Sequence, residues 1–95
     1  KMLSAEEAKQ WGFVNEVVAH DNLATKAQEL ASQLANGPTR AYGGVKRMLL
    51  SSFSSPIEAQ LDNETRHIVG TMETHDGPHG LNAFLNKEKP RFTGS

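Results

Sequence analysis

The sequence contains no cysteine among its 95 residues, which excludes a disulfide framework and a thiolate metal site. This absence fits a reducing compartment such as the cytoplasm or the mitochondrial matrix, and the sequence does not choose between them. No apolar run approaches the roughly 20 residues of a membrane-spanning helix. Ten basic and eleven acidic residues give a net charge of −1, without the basic excess typical of nucleic-acid-binding proteins. We therefore expect a globular domain with no membrane or nucleic-acid partner.

The first residues of the chain have the pattern of a helix N-terminus. Ser4-Ala5-Glu6-Glu7 matches the capping box, in which the serine side chain and the glutamate side chain each bond the other residue's backbone N–H. The helix is predicted to run to about Trp11 and to stop at Gly12, because glycine commonly occupies the left-handed position that follows a helix.

The next segment, FVNEVVA from Phe13 to Ala19, is rich in β-branched residues and is predicted to form a short strand. No later segment has the pattern of a partner, and an unpaired strand leaves backbone donors and acceptors unsatisfied. Either the segment packs as an extended coil or its partner lies elsewhere in a longer protein. Together with the start at Lys1, this suggests that the chain is a piece of a longer protein.

Apolar residues recur at helical spacing in the rest of the chain. A long helix carries one apolar stripe, interrupted by Glu64 and Thr65, whose members are Ile57, Leu61, Ile68 and Met72. The segment HDGPHG after it predicts a strong break, and a last short helix containing Phe84 ends before Pro90. The predicted fold class is mainly α, with about five helices and one short extended segment.

Residues that carry chemistry are sparse and scattered. Glu64 and His67 have the spacing of a di-iron ligand pair, but such sites need that motif twice with two further carboxylates. His75 and His79 flank a Gly-Pro turn, where histidines usually meet solvent. No nucleophile, base and oxyanion hole can be assembled from these residues. The sequence therefore predicts no catalytic residue, no metal site and no cofactor.

Three stretches, in order, resemble the crotonase family, the enoyl-CoA hydratase/isomerase superfamily. The first is LSAEEAKQWGFVNEVV, the second LASQLANGPTRAYGGVKRML and the third DGPHGLNAFLNKEKPRFTG. The positions that match the family pattern are Ser4, Ala5, Glu7, Ala8, Gly12, Phe13, Val14, Val17, Val18, Gly37, Pro38, Ala41, Lys46, Gly80, Ala83, Phe84, Lys87, Pro90 and Phe92. Two positions depart from it, since His79 stands where the family often has glutamate and Glu88 where it often has arginine.

The resemblance implies a role for the whole chain. Residues 1–95 would be the C-terminal helical domain of a crotonase-like protein, which forms trimer contacts and covers the acyl-CoA pocket. The catalytic core, with its oxyanion hole and carboxylates, would precede Lys1. The expected parent adds water to a trans-2-enoyl-CoA, with isomerase, hydrolase and dehalogenase reactions left open, and assembles as a trimer-based homo-oligomer. The alternative is an autonomous helical protein-interaction module without CoA binding.

The resemblance also implies two CoA-binding residues. Phe84 and Lys87 stand where family members contact the CoA moiety, the aromatic by the adenine and the lysine by a phosphate. Three residues apart in one helix, they are predicted to share a face. The alternatives left open are that Phe84 packs in the core with Leu81 and Leu85, and that Lys87 is a solvated surface lysine.

Overall fold

A computed structural model describes residues 2–95. It shows five α-helices in this part of the chain, α1 Ala5–Gln10, α2 Leu23–Ala35, α3 Thr39–Ser52, α4 Ile57–Met72 and α5 Asp76–Leu85, with a 3₁₀ turn at His20–Asn22. The chain divides into two compact units within α2, the first ending at Ala31 and the second comprising Ser32–Ser95. The predicted mainly α class is confirmed, and no described helix is long and apolar enough to cross a membrane.

The first helix begins and ends as its sequence predicts. The Ser4 N–H donates to the Glu7 carboxylate at 2.9 Å, and the Glu7 N–H donates to the Ser4 hydroxyl at 3.1 Å. Gly12 follows the helix with φ of 80°. The Phe13 N–H then donates to the Ala8 carbonyl at 2.9 Å, which completes the closing turn known as a Schellman motif.

The predicted strand at Phe13–Ala19 is wrong for this structure. These residues are irregular and lead into the 3₁₀ turn at His20–Asn22. The physical reason is pairing: residues 2–95 contain no strand, and a single extended segment gains nothing from β propensity without a ladder partner. The segment is an irregular coil within residues 2–95, and a strand partner elsewhere in a longer protein stays a prediction.

Helices α3 and α4 meet through small and polar residues. Gly44 of α3 is buried, and a Cβ added there would overlap the imidazole ring of His67 on α4. The apolar stripe of α4 lies on other sides of the helix and is exposed, and Ile68 keeps 63% of its accessible surface. In residues 2–95 no large side chain is fully buried. The apolar faces predicted from the helical spacing are real, but most of their area is left uncovered within the described chain.

The predicted break at HDGPHG is only partly right. Helix α4 ends at Met72, and α5 already begins at Asp76, so Gly77 and Pro78 lie in its first turn. Proline is tolerated there because the first N–H groups of a helix have no partner within the helix. The Gly77 N–H finds one outside α5, donating to the Thr74 hydroxyl at 3.1 Å.

Candidate functional site

The exposed end of α5 carries the first predicted CoA-binding residue. Phe84 keeps 79% of its surface accessible, whereas the preceding Ala83 keeps 5%. Helix α5 thus packs through its small residue and turns the aromatic ring outward. Within the described chain Phe84 does not pack in a core, and its role in binding CoA stays a prediction.

The second predicted residue does not lie in the helix. Helix α5 ends at Leu85, and Lys87 follows the C-cap residue Asn86 with φ of 57°, the one positive φ at a non-glycine among residues 2–95. The helix ends before Lys87 because the chain reverses its direction here. The Lys87 N–H donates to the Phe84 carbonyl at 3.1 Å, and the Glu88 N–H donates to the Ala83 carbonyl at 2.8 Å. This is the Schellman geometry that Gly12 gives α1, with lysine in the glycine position.

Lysine at this position carries a conformational cost that glycine would not. The left-handed region costs an L-residue roughly 1–2 kcal/mol, partly offset because glycine loses more backbone entropy on folding. We expect Lys87→Gly to raise the free energy of unfolding by about 0.5–1 kcal/mol, measured by urea denaturation. The matched variant Asn86→Gly should give no gain, because Asn86 has φ of −86°. A loss of stability on Lys87→Gly would contradict this interpretation of the turn.

After the reversal, residues 90–95 form a segment that returns to the start of α5, here called the strap. The Asp76 carboxylate, 3% exposed, receives it. One carboxylate oxygen accepts the Thr93 N–H at 2.9 Å and the other accepts the Gly94 N–H at 2.7 Å. The Asp76 N–H in turn donates to the Ser95 carbonyl at 3.0 Å. Asp76 therefore clamps the strap with both oxygens of its carboxylate and with its own backbone.

These hydrogen bonds lower the pKa of the Asp76 carboxyl from 3.8 to about 2. The Thr93 N–H is the largest cause, and burial opposes it by raising the pKa. The His75 side chain, the Gly94 N–H and the Thr93 hydroxyl lower it further. Because the folded pKa lies below the unfolded one, the clamp's contribution to stability is present above about pH 4 and is lost as pH falls toward 2. At neutral pH the clamp is closed and charged.

A second attachment of the strap uses His79, one of the two positions that depart from the family pattern. The Arg91 N–H donates to Nε2 of His79 at 2.9 Å. The Phe92 ring meets the His79 ring edge-on, with centroids 6.2 Å apart, and lies against Gly80, where an added Cβ would come within 3.0 Å of it. The strap is thus held along α5 by packing as well as by the clamp.

A groove of about 770 Å³ runs between α3 and α4. Arg40, Arg47 and Arg66 line it, beside His67 and Gly44. Arg66 also pairs with Asp62 at 3.0 Å. The groove gathers positive charge and can attract anionic groups. Its arginines belong to turns of two helices, so no local motif in the sequence identified it.

Histidines 75 and 79 are brought together by α5. Their rings stack with centroids 5.6 Å apart. Among residues 2–95, no group of three or more metal-ligating side chains is placed to hold a metal ion. Glu64 and His67 are in different surroundings: the His67 ring packs on Gly44, whereas Glu64 is exposed.

The clamp on Asp76 is the feature that sequence reasoning missed. Its partners Thr93 and Gly94 lie 17 and 18 residues away, and no spacing rule links a helix start to a segment so far along the chain. The available signal was an aspartate at the first position of α5, where a carboxylate suits the helix dipole.

Known proteins are similar to this chain in sequence and in fold. The family model described as enoyl-CoA hydratase/isomerase matches residues 1–95. The chain is 39% identical over 92 residues to the 1,2-epoxyphenylacetyl-CoA isomerase of Escherichia coli K12, covering 97% of this chain and 35% of that protein. It is 35% identical over 92 residues to a probable enoyl-CoA hydratase of Rhodobacter capsulatus, covering 97% of this chain and 36% of that protein.

A solved structure agrees with these relatives. The crystal structure of a putative enoyl-CoA hydratase/isomerase from Mycobacterium abscessus superposes with a TM-score of 0.92 at 34% identity, covering 98% of this chain and 36% of that one. The chain thus spans about a third of the length of the relatives it matches. The resemblance seen in its three sequence stretches is confirmed: the chain belongs to the enoyl-CoA hydratase/isomerase family, the crotonase superfamily.

Proposed function

We propose that this chain is the C-terminal helical part of an enzyme that acts on acyl-CoA thioesters, and that Phe84 and Lys87 bind the CoA moiety. The relatives are named as an isomerase and a probable hydratase. The proposed reaction is the addition of water to a trans-2-enoyl-CoA, or a related isomerisation. The observation that carries the proposal is the exposed Phe84 ring beside a lysine held at positive φ.

The chemistry of this pair suits a nucleotide. An exposed aryl ring offers a stacking plane for a base, and a lysine ammonium is a compact positive charge for a phosphate. Backbone strain kept at a surface residue is a reason to look for function there. Lys87 is such a residue, since glycine would close the same turn without the cost of positive φ.

The proposed function places the reacting groups outside this chain. Carboxylates with partners here hold structure: Glu7 caps α1, Asp62 pairs with Arg66, and Asp76 clamps the strap. The oxyanion hole and the carboxylates that move protons would belong to the remaining two thirds of the enzyme. This chain would supply coenzyme contacts and the cover of the acyl-CoA pocket.

The test is Lys87→Ala in the full-length enzyme. We expect the KM for crotonyl-CoA to rise about fivefold, the effect of one exposed ion pair, with kcat nearly unchanged. Crotonyl-pantetheine lacks the nucleotide, so its KM should stay the same. The matched control is Lys89→Ala, which removes an equal charge from the neighbouring exposed lysine and separates a specific contact from general electrostatics. Equal losses on both substrates, or equal losses in both variants, would contradict the proposal.

We also propose that the chain contributes to a trimer-based homo-oligomer. The support is the exposed apolar stripe of α4, formed by Ile57, Leu61, Ile68 and Met72. Monomeric proteins rarely leave contiguous apolar patches of more than a few hundred Å² uncovered. A second copy of the enzyme, or the enzyme's own core, would cover this stripe.

A further inference from the structure

The position of Lys87 depends on the segment that comes after it. A Schellman turn reverses the chain, and here the reversed chain is the strap, which lies along α5 as far as Asp76. Lys87 is the pivot between helix and strap. A lysine released from this reversal would relax to negative φ, because no L-residue favours the left-handed region on its own. The Lys87 side chain would then point in a different direction.

The strap is held at points far from the pivot. Asp76 accepts the Thr93 and Gly94 N–H groups, and the His75 Nδ1 lies 3.1 Å from the same carboxylate. The Thr93 hydroxyl lies 3.3 Å from it. The hydrogen bonds to this buried carboxylate are strong because the acceptor oxygens are charged. The clamp therefore fixes the far end of the strap, while the two turn bonds to Phe84 and Ala83 fix Lys87 and Glu88, which precede the strap.

We propose that Asp76 is a positioning residue for Lys87: by clamping the strap at the start of α5, it keeps the chain reversed at Lys87 and so sets the direction in which the Lys87 side chain leaves the backbone. This inference rests on the proposed CoA contact of Lys87. Asp76 touches no substrate and acts only through the strap. The enzyme's affinity for the nucleotide part of its substrate is thus set partly by a carboxylate at the opposite end of the helix.

The variant that tests this is Asp76→Asn. An amide has one oxygen, so its NH₂ group would face either the Thr93 N–H or the Gly94 N–H, donor against donor. Phe92→Ala weakens the strap from the other side, by removing the ring that packs on Gly80 and His79. If Asp76→Asn does not fold, Phe92→Ala tests the positioning role instead. The matched control is Asp62→Asn, the same chemical change at an exposed ion pair.

Two readouts separate positioning from general stability. In the full-length enzyme, each strap variant should raise the KM for crotonyl-CoA about fivefold with kcat and the KM for crotonyl-pantetheine unchanged, the same result that is expected of Lys87→Ala. Added to Lys87→Ala, each should raise the KM no further, because both remove the same contact. In NMR spectra, the backbone chemical shifts of Lys87 should lose their left-handed character in Asp76→Asn and keep it in Asp62→Asn.

The possible failures are distinct. If Lys87→Ala leaves the KM for crotonyl-CoA unchanged, the proposed CoA contact is wrong, and the NMR shifts still decide whether Asp76 holds the turn. If Lys87→Ala raises the KM but the strap variants do not, the CoA contact stands and the positioning role is overturned. The positioning role would also be overturned if the KM increases of the single variants multiplied in the double variants. Equal KM increases for crotonyl-CoA and crotonyl-pantetheine would overturn it as well.

Discussion

Gly44→Ala is expected to destabilise the second unit by up to about 2 kcal/mol, because a new methyl group would overlap the imidazole ring of His67. Overpacking a close helix contact costs about 1–3 kcal/mol, and the better helix propensity of alanine returns only about 1 kcal/mol of this. The measurement is the free energy of unfolding in urea.

The neighbouring Gly43 gives a matched control, for which the expected change in the free energy of unfolding has the opposite sign. Nothing lies within 4 Å of a Cβ added at Gly43, which is exposed on the same helix. Gly43→Ala should therefore raise the free energy of unfolding by about 0.5–1 kcal/mol. The double variant Gly44→Ala/His67→Ala should lose less than the sum of its single variants, since the clash needs both side chains. Equal signs at Gly43 and Gly44 would mean that α3 and α4 do not meet as described.

Local signals predicted the helices well because their causes lie within a few residues. The capping box at Ser4 and Glu7 and the left-handed turn at Gly12 formed as predicted. Each is a contact between residues three to five apart, which a sequence shows directly. The family pattern, which spreads over the whole chain, was also readable, and it identified the chain's family correctly.

The failures involve partners that a local pattern does not contain. Phe13–Ala19 has β propensity but no strand to pair with among residues 2–95. The sequence predicts a last helix that ends only before Pro90 and so includes Lys87, yet the turn at Asn86 ends α5 earlier. The clamp joins Asp76 to residues 17 and 18 positions later. Such contacts are set by tertiary structure, which no periodicity records.

The apolar stripe of α4 predicts self-association of the isolated chain. Ile68 lies in the middle of the stripe and is 63% exposed, so a second copy that covers it would gain about 1.5–3 kcal/mol for each large apolar side chain fully buried. We expect wild-type chain to sediment as an oligomer at high concentration, and Ile68→Asp to raise its dissociation constant at least about tenfold.

The control for this prediction is Asn63→Asp, which also introduces an aspartate into α4 but on the side that lines the groove with α3. It should leave the dissociation constant nearly unchanged, because a charge far from the stripe is not desolvated on association. Far-UV circular dichroism of both variants would show that α4 still forms. A wild-type chain that remains monomeric at high concentration would contradict the prediction, as would equal weakening by both variants, since the contact would then not be made through the α4 stripe.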